Sequence, residues 1–120
     1  MEKDVNFETI SAQDAHAALL KGEITLIDVR EPAEFAAERI HGAFLFPLST
    51  FDATMLPTDI NKPVVFHCGS GKRSAEAMER CRLAGVRVKG HIAGGLGAWK
   101  AAGRPTVAID PATGKVIDRR

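Results

Sequence analysis

Residues 63–78, PVVFHCGSGKRSAEAM, constrain this chain more than any other stretch. Val64, Val65 and Phe66 make a short apolar run of the kind that forms a buried strand. The run leads into Cys68, and a loop of small and cationic residues follows: Gly69, Ser70, Gly71, Lys72 and Arg73. A helix-forming stretch opens at Ser74. A strand that turns through glycines into a helix is an α/β unit whose loop points backbone N–H groups inward, a ready cradle for an anion. Helix N-termini and nearby Lys or Arg bring a cysteine pKa from about 8.5 down to about 3.5–7.5. Most lone cysteines are small buried hydrophobes, but a sealed core rejects Lys72 and Arg73, and Gly69 and Gly71 permit close approach of a ligand. The predicted site is therefore Cys68 as nucleophile, with Gly69, Ser70, Gly71, Lys72 and Arg73 as its anion-binding loop.

The rest of the chain alternates strands and helices. Ser11 is the expected N-cap of a helix running to Lys21, with Gly22 as its C-terminal cap. Ile24 to Val29 is a continuous apolar strand of the kind buried on both faces. Pro32 opens a second helix, ending near Arg39, and Ala43 to Phe46 is a short strand. Phe51 to Asn61 reads as irregular with room for a short helix. Val64 to His67 is the central strand, Val86 to Lys89 the last, and Gly95 to Ala102 the closing helix. This order argues for an α/β fold with a central, mostly parallel β-sheet flanked by α-helices on both faces. At 120 residues the chain suits one domain. Residues 1–105 are expected to form it, and residues 106–120 a C-terminal extension, either a hairpin or a loose tail.

Charge and composition exclude several functions. Lys and Arg number 16 against 15 Asp and Glu, a net +1, so no nucleic-acid or membrane surface is expected. The start, MEKDVNFE, is polar and acidic, unlike a signal peptide, and no apolar run is long enough to span a membrane. Two cysteines, one of them reactive, suit a reducing cytoplasm. His16, His41, His67 and His91 lack metal-ligand spacing, and Gly94-Gly95-x-Gly97 lacks the dinucleotide fingerprint. Neither a metal nor a cofactor is expected. Cys81 falls on the apolar face of its helix with Ala77, Met78 and Ala84, the place of a packed thiol; a resolving partner for Cys68 is the alternative. His67 follows strand alternation to the face opposite Cys68 and reads as a packed residue.

The unit Cys68, four loop residues, Arg73 resembles the active-site loop of the rhodanese sulfurtransferases. LIDVREPAEFAAERIHGAFLFPL, Leu26 to Leu48, is similar to the first half of that family, and HIAGGLGAWKAAGRP, His91 to Pro105, to its closing segment. The motifs stand in the family's order over residues 7–105. The resemblance implies a single-domain member with the rhodanese-like fold. It also implies an enzyme in which the Cys68 thiolate takes the outer sulfur of a donor such as thiosulfate, carries it as a persulfide, and yields it to a thiophilic acceptor. The implied partners are a small-molecule or protein sulfane-sulfur donor and a thiol acceptor. Asp28 and Arg30, at a second strand end, are implied supports of the loop, with Asp28 hydrogen-bonding around it. An ordinary ion pair of either with Glu31, Glu34 or Arg73 is the alternative. Two positions depart from better-known members: Gly69 stands where some have Arg, and Glu34 where some have a substrate-binding Arg. Both remove positive charge and weigh against tight thiosulfate binding. Two other functions stay open. One is a non-catalytic partner-binding module of the same fold. The other is a cysteine phosphatase, although such enzymes place five residues between Cys and Arg and this chain has four.

Overall fold

The computed structural model describes residues 7–58 and 61–119. Met1–Asn6, the greater part of the acidic start, lie outside the described residues, as do Asp59 and Ile60 within the stretch read as irregular. Among the described residues eight strands and four helices follow in the order β1 (Glu8–Ile10), α1 (Ala12–Leu20), β2 (Thr25–Asp28), α2 (Pro32–Ala37), β3 (Glu38–Arg39), β4 (Phe44–Leu45), β5 (Val64–His67), α3 (Lys72–Ala84), β6 (Gly90–Ile92), α4 (Gly95–Ala101), β7 (Thr106–Ile109) and β8 (Val116–Arg119). Two short 3-10 turns, Leu48–Thr50 and Ala53–Met55, lie between β4 and β5.

The main sheet is wholly parallel, in the order β1-β6-β5-β2-β4. Its central strands β2 and β5 bury apolar side chains on both faces, Leu26 and Ile27 in one and Val65 and Phe66 in the other, because helices cover both sides. One face packs Ile27, Val29, Val64 and Phe66 against Ala77, Met78 and Cys81 of α3. The other packs Leu26, Val65 and Ile92 against Ala12 and Ala15 of α1 and Leu96 and Trp99 of α4. Ser11 caps α1 as its spacing predicts, its Oγ accepting the Asp14 N–H at 3.0 Å. Among the described residues no helix is long and apolar enough to cross a membrane.

Three boundaries differ from the sequence reading by two residues or more. The last parallel strand is Gly90–Ile92, not Val86–Lys89. Gly90 lies so close to β1 that a Cβ there would stand 2.0 Å from the Glu8 carbonyl oxygen, so the residue that looks like a strand terminator is what lets β1 pair. The second helix ends at Ala37, and Glu38–Arg39 pairs antiparallel with β7. The third helix begins at Lys72 rather than Ser74, because Gly71 takes the left-handed conformation (φ 107°) and closes the loop two residues early. At the C-terminal end, β7 and β8 form a hairpin that β3 extends into a three-stranded antiparallel sheet.

Candidate active site

Parallel pairing sets β2 and β5 side by side with Asp28 opposite His67, so Cys68 emerges next to the carboxyl end of β2. Ligand sites in open α/β sheets form beyond such strand ends. Cys68 is fully buried. Its Sγ receives two backbone N–H groups, from Gly71 at 3.0 Å and Ser74 at 3.3 Å, and lies 3.7 Å from the Ser74 hydroxyl. Burial pushes this thiol up, but hydrogen bonds from the Ser74 N–H and hydroxyl and from the Gly71 and Ser70 N–H groups outweigh it, leaving the Cys68 pKa below the ordinary thiol value. The loop is thus shaped to hold a negative sulfur.

The carbonyls of the loop face away from that sulfur because α4 takes them. Leu96 donates its N–H to the Cys68 carbonyl at 2.7 Å and Gly97 to the Gly69 carbonyl at 3.1 Å. These are amides of the first turn of a helix, which have no partner within it. Gly95 makes the approach possible, since a Cβ there would stand 2.3 Å from the Cys68 carbonyl oxygen. The Gly94-Gly95-x-Gly97 run therefore does more than turn the chain: it allows a helix end to clamp the cradle.

The residues expected in the loop divide. Gly69, Ser70 and Gly71 form it. Lys72 and Arg73 lie in the first turn of α3. Lys72 is exposed. Arg73 reaches back over the loop, its Nη2 3.3 Å from where a Cβ on Gly69 would stand. Its guanidinium is gripped by Glu34 in a two-pronged pair, Nη1 to Oε1 at 2.7 Å and Nη2 to Oε2 at 3.0 Å. The Arg73 bond first, opposed by burial and aided by the Glu31 N–H and the charges of Arg73 and Arg30, holds the Glu34 carboxyl at about 2.

Asp28 and Arg30 bind each other. Arg30 gives Asp28 its backbone N–H and both Nε and Nη2, and its Nη2 also reaches the Glu38 carbonyl at 2.6 Å. Both are buried and face each other. Asp28 makes no hydrogen bond to residues 69–73 among the described contacts. It meets the loop through His67, whose Nε2 lies 3.4 Å from Asp28 Oδ2 and whose Nδ1 lies 3.3 Å from the Cys68 carbonyl oxygen. Burial pushes the His67 pKa down, against the pull of Asp28, and the ring is fully buried as a packed residue.

Sequence reasoning passes over two further residues. Ser74, read only as a helix opener, donates its N–H to Sγ and brings its hydroxyl oxygen within 3.7 Å of it. Its Oγ also lies 2.7 Å from His91 Nδ1 and donates to the Gly71 carbonyl at 3.1 Å. A hydroxyl one turn into a helix that follows a cysteine loop is a local signal for the first contact; no local signal brings His91 to it. Cys81 is also fully buried, without the cradle, and burial alone pushes its thiol up to about 11. Among the described residues no group of three His, Cys, Asp or Glu side chains is placed to hold a metal ion.

Comparison with known proteins gives the family and the fold. The family described as Rhodanese-like domain matches residues 11–102. An uncharacterized protein of Synechocystis sp. is 41% identical over 99 residues, 82% of this chain and 55% of that protein, so the chain spans about half the length of that relative. A rhodanese-related protein of Thermoplasma volcanium has a solved structure that is 29% identical, covers 84% of this chain and 98% of its own, and superposes with a TM-score of 0.71. A protein of unknown function from Rhodopseudomonas palustris, described as a possible tyrosine phosphatase, is 31% identical with a TM-score of 0.69, covering 82% of this chain and 83% of its own.

Proposed function

This chain belongs to the rhodanese-like domain family, and from that premise we propose that it is a sulfurtransferase carrying sulfane sulfur on Cys68. The observation that carries this reading is the set of N–H groups directed at Sγ. They favour the thiolate before reaction and receive the persulfide anion after it, an oxyanion-hole arrangement applied to sulfur. In the first step Sγ⁻ attacks the outer sulfur of a donor such as thiosulfate. The Sγ–S bond forms, the donor's S–S bond breaks, and sulfite leaves with the electron pair. In the second step an acceptor thiolate attacks the outer sulfur and Sγ⁻ leaves, giving ping-pong kinetics. Each step moves one sulfur between anions, so no general base is required. Because Cys68 is fully buried, a donor reaches it only when the loop yields, and Gly69 and Gly71 are the residues with the backbone freedom to allow that. Both cysteines are free, in keeping with action in a reducing compartment such as the cytoplasm.

The description of the Rhodopseudomonas palustris neighbour favours a second reading, phosphate-ester hydrolysis. Such a reaction needs an arginine fork for the phosphate oxygens, and the fork of Arg73 is occupied by Glu34. The four-residue spacing before Arg73 also makes a nest tighter than a phosphate requires. Incubating the reduced protein with thiosulfate or a persulfide and reading its intact mass separates the readings. A gain of about 32 Da, one sulfur, lost in Cys68→Ala and kept in Cys81→Ala, is the expected result. No gain from any sulfane donor, together with hydrolysis of an aryl phosphate, would replace this reading with the phosphatase. No gain and no hydrolysis would leave a partner-binding module.

A further inference from the structure

The cation that crosses the loop is already spoken for. Arg73 lies against Gly69, the residue after Cys68, and the Cys68 charge is among those it feels. Its fork is filled by Glu34, and Glu34 is itself fixed: its Oε1 accepts the Glu31 N–H at 2.9 Å in the capping box of α2. Glu31 in turn is tied to Ser49 through its N–H and hydroxyl. The two departures from the family pattern work together here. Gly69 leaves the space that the Arg73 side chain crosses, and Glu34 holds the guanidinium there and cancels its charge. A carboxylate held at about 2 by that same bond stays charged at any working pH.

Resting on the sulfurtransferase reading, we propose that Glu34 sets donor selectivity: by occupying and neutralising Arg73 it turns the site from dianionic donors such as thiosulfate toward persulfides, whose reacting end bears one charge. Thiosulfate brings two negative charges to a site that already holds the Cys68 thiolate, and the cation beside it offers no net attraction. A persulfide meets half that repulsion. The step is the same for both. Sγ⁻ and R–S–S⁻ give Sγ–S⁻ and R–S⁻, with one S–S bond made and one broken and the total charge conserved.

The test measures Cys68 loading rates from thiosulfate and from cysteine persulfide, by intact mass, for the wild type and for Glu34→Gln. Glutamine keeps an acceptor for the Glu31 N–H, and an ion pair this exposed contributes little to stability, so the fold is expected to hold. The thiosulfate-to-persulfide rate ratio should rise about tenfold or more, at the lower end of what a charge in a cleft does to association. The rise should shrink in 1 M salt, where the screening length is about 3 Å. Arg73→Gln alone leaves Glu34 charged and unpaired, and should move the ratio the opposite way. Loading from both donors with a ratio within twofold of wild type in both variants would overturn the proposal and leave the sulfurtransferase reading intact. Loading from neither donor would overturn both.

Discussion

The two cysteines make the instructive contrast. Cys68 and Cys81 are both fully buried against the same face of the sheet. In Cys81 burial acts alone and pushes the thiol up to about 11. In Cys68 burial acts first in the same direction, yet the N–H groups of Ser74, Gly71 and Ser70 and the Ser74 hydroxyl reverse it. Position along a helix explains the difference. Cys81 lies past the first turn of α3, away from the helix start. Cys68 faces the first turn of α3, whose amides have no partner within the helix. Depth of burial therefore does not decide whether a thiol is reactive; uncommitted backbone donors do.

That contrast can be broken at several points. The greatest effect is expected from the cysteines themselves. Cys68→Ala should abolish persulfide formation, while Cys81→Ala should keep its rate within about twofold, since it touches only packing. Rates that fell equally would erase the distinction. Next, Gly95→Ala should lower unfolding free energy by about 3 kcal/mol or more, because it places a methyl 2.3 Å from the Cys68 carbonyl oxygen at a φ of 59°. Denaturant titration reads the loss. A neutral result would mean that the α4 end does not clamp the loop.

Stability against pH sharpens the same comparison. The folded pKa of Cys81 is raised, so between about 9 and about 11 the unfolded chain loses this proton while the folded one keeps it, and stability falls as pH rises through that window. The loss is at most about 2–3 kcal/mol and should be absent in Cys81→Ala. The folded pKa of Cys68 is lowered, so its contribution has the opposite sign. It is complete above the ordinary thiol value and disappears as pH falls through the folded pKa. Cys68→Ala should remove it. The smallest effect is expected from Ser74→Ala, which keeps the backbone donor and removes the hydroxyl. Persulfide loading should slow by about tenfold, and thiolate formation should require higher pH. An unchanged titration would assign the whole cradle to backbone amides.

The parts of the molecule legible from sequence are those whose cause is local. The apolar run of β5, the glycines after Cys68 and the capping Ser11 each declare themselves within a few residues, and so does the parallel α/β class that follows from their alternation. The strands β1 and β3 were not legible, because three and two residues carry no pattern and each exists only through a distant partner: Gly90 for β1, Val107 and Ala108 for β3. The site divides the same way. The Cys68 loop could be read from its own residues. The Glu34 grip on Arg73, 39 positions away, and the His91 contact with Ser74, 17 positions away, depend on how the sheet sets its strand ends together. Glu34 is the instructive case, since its charge was visible as a departure but its partner was not.

The most direct test of the account is a titration of thiolate absorbance near 240 nm in the wild type, Cys68→Ala and Cys81→Ala. This reading does not depend on a reagent reaching a buried sulfur. The account predicts a transition below the free-thiol value of about 8.5 that vanishes in Cys68→Ala and persists in Cys81→Ala. A single rise above that value, unchanged by Cys68→Ala, would show that the cradle does not overcome burial and would contradict the claim on which the proposed chemistry stands.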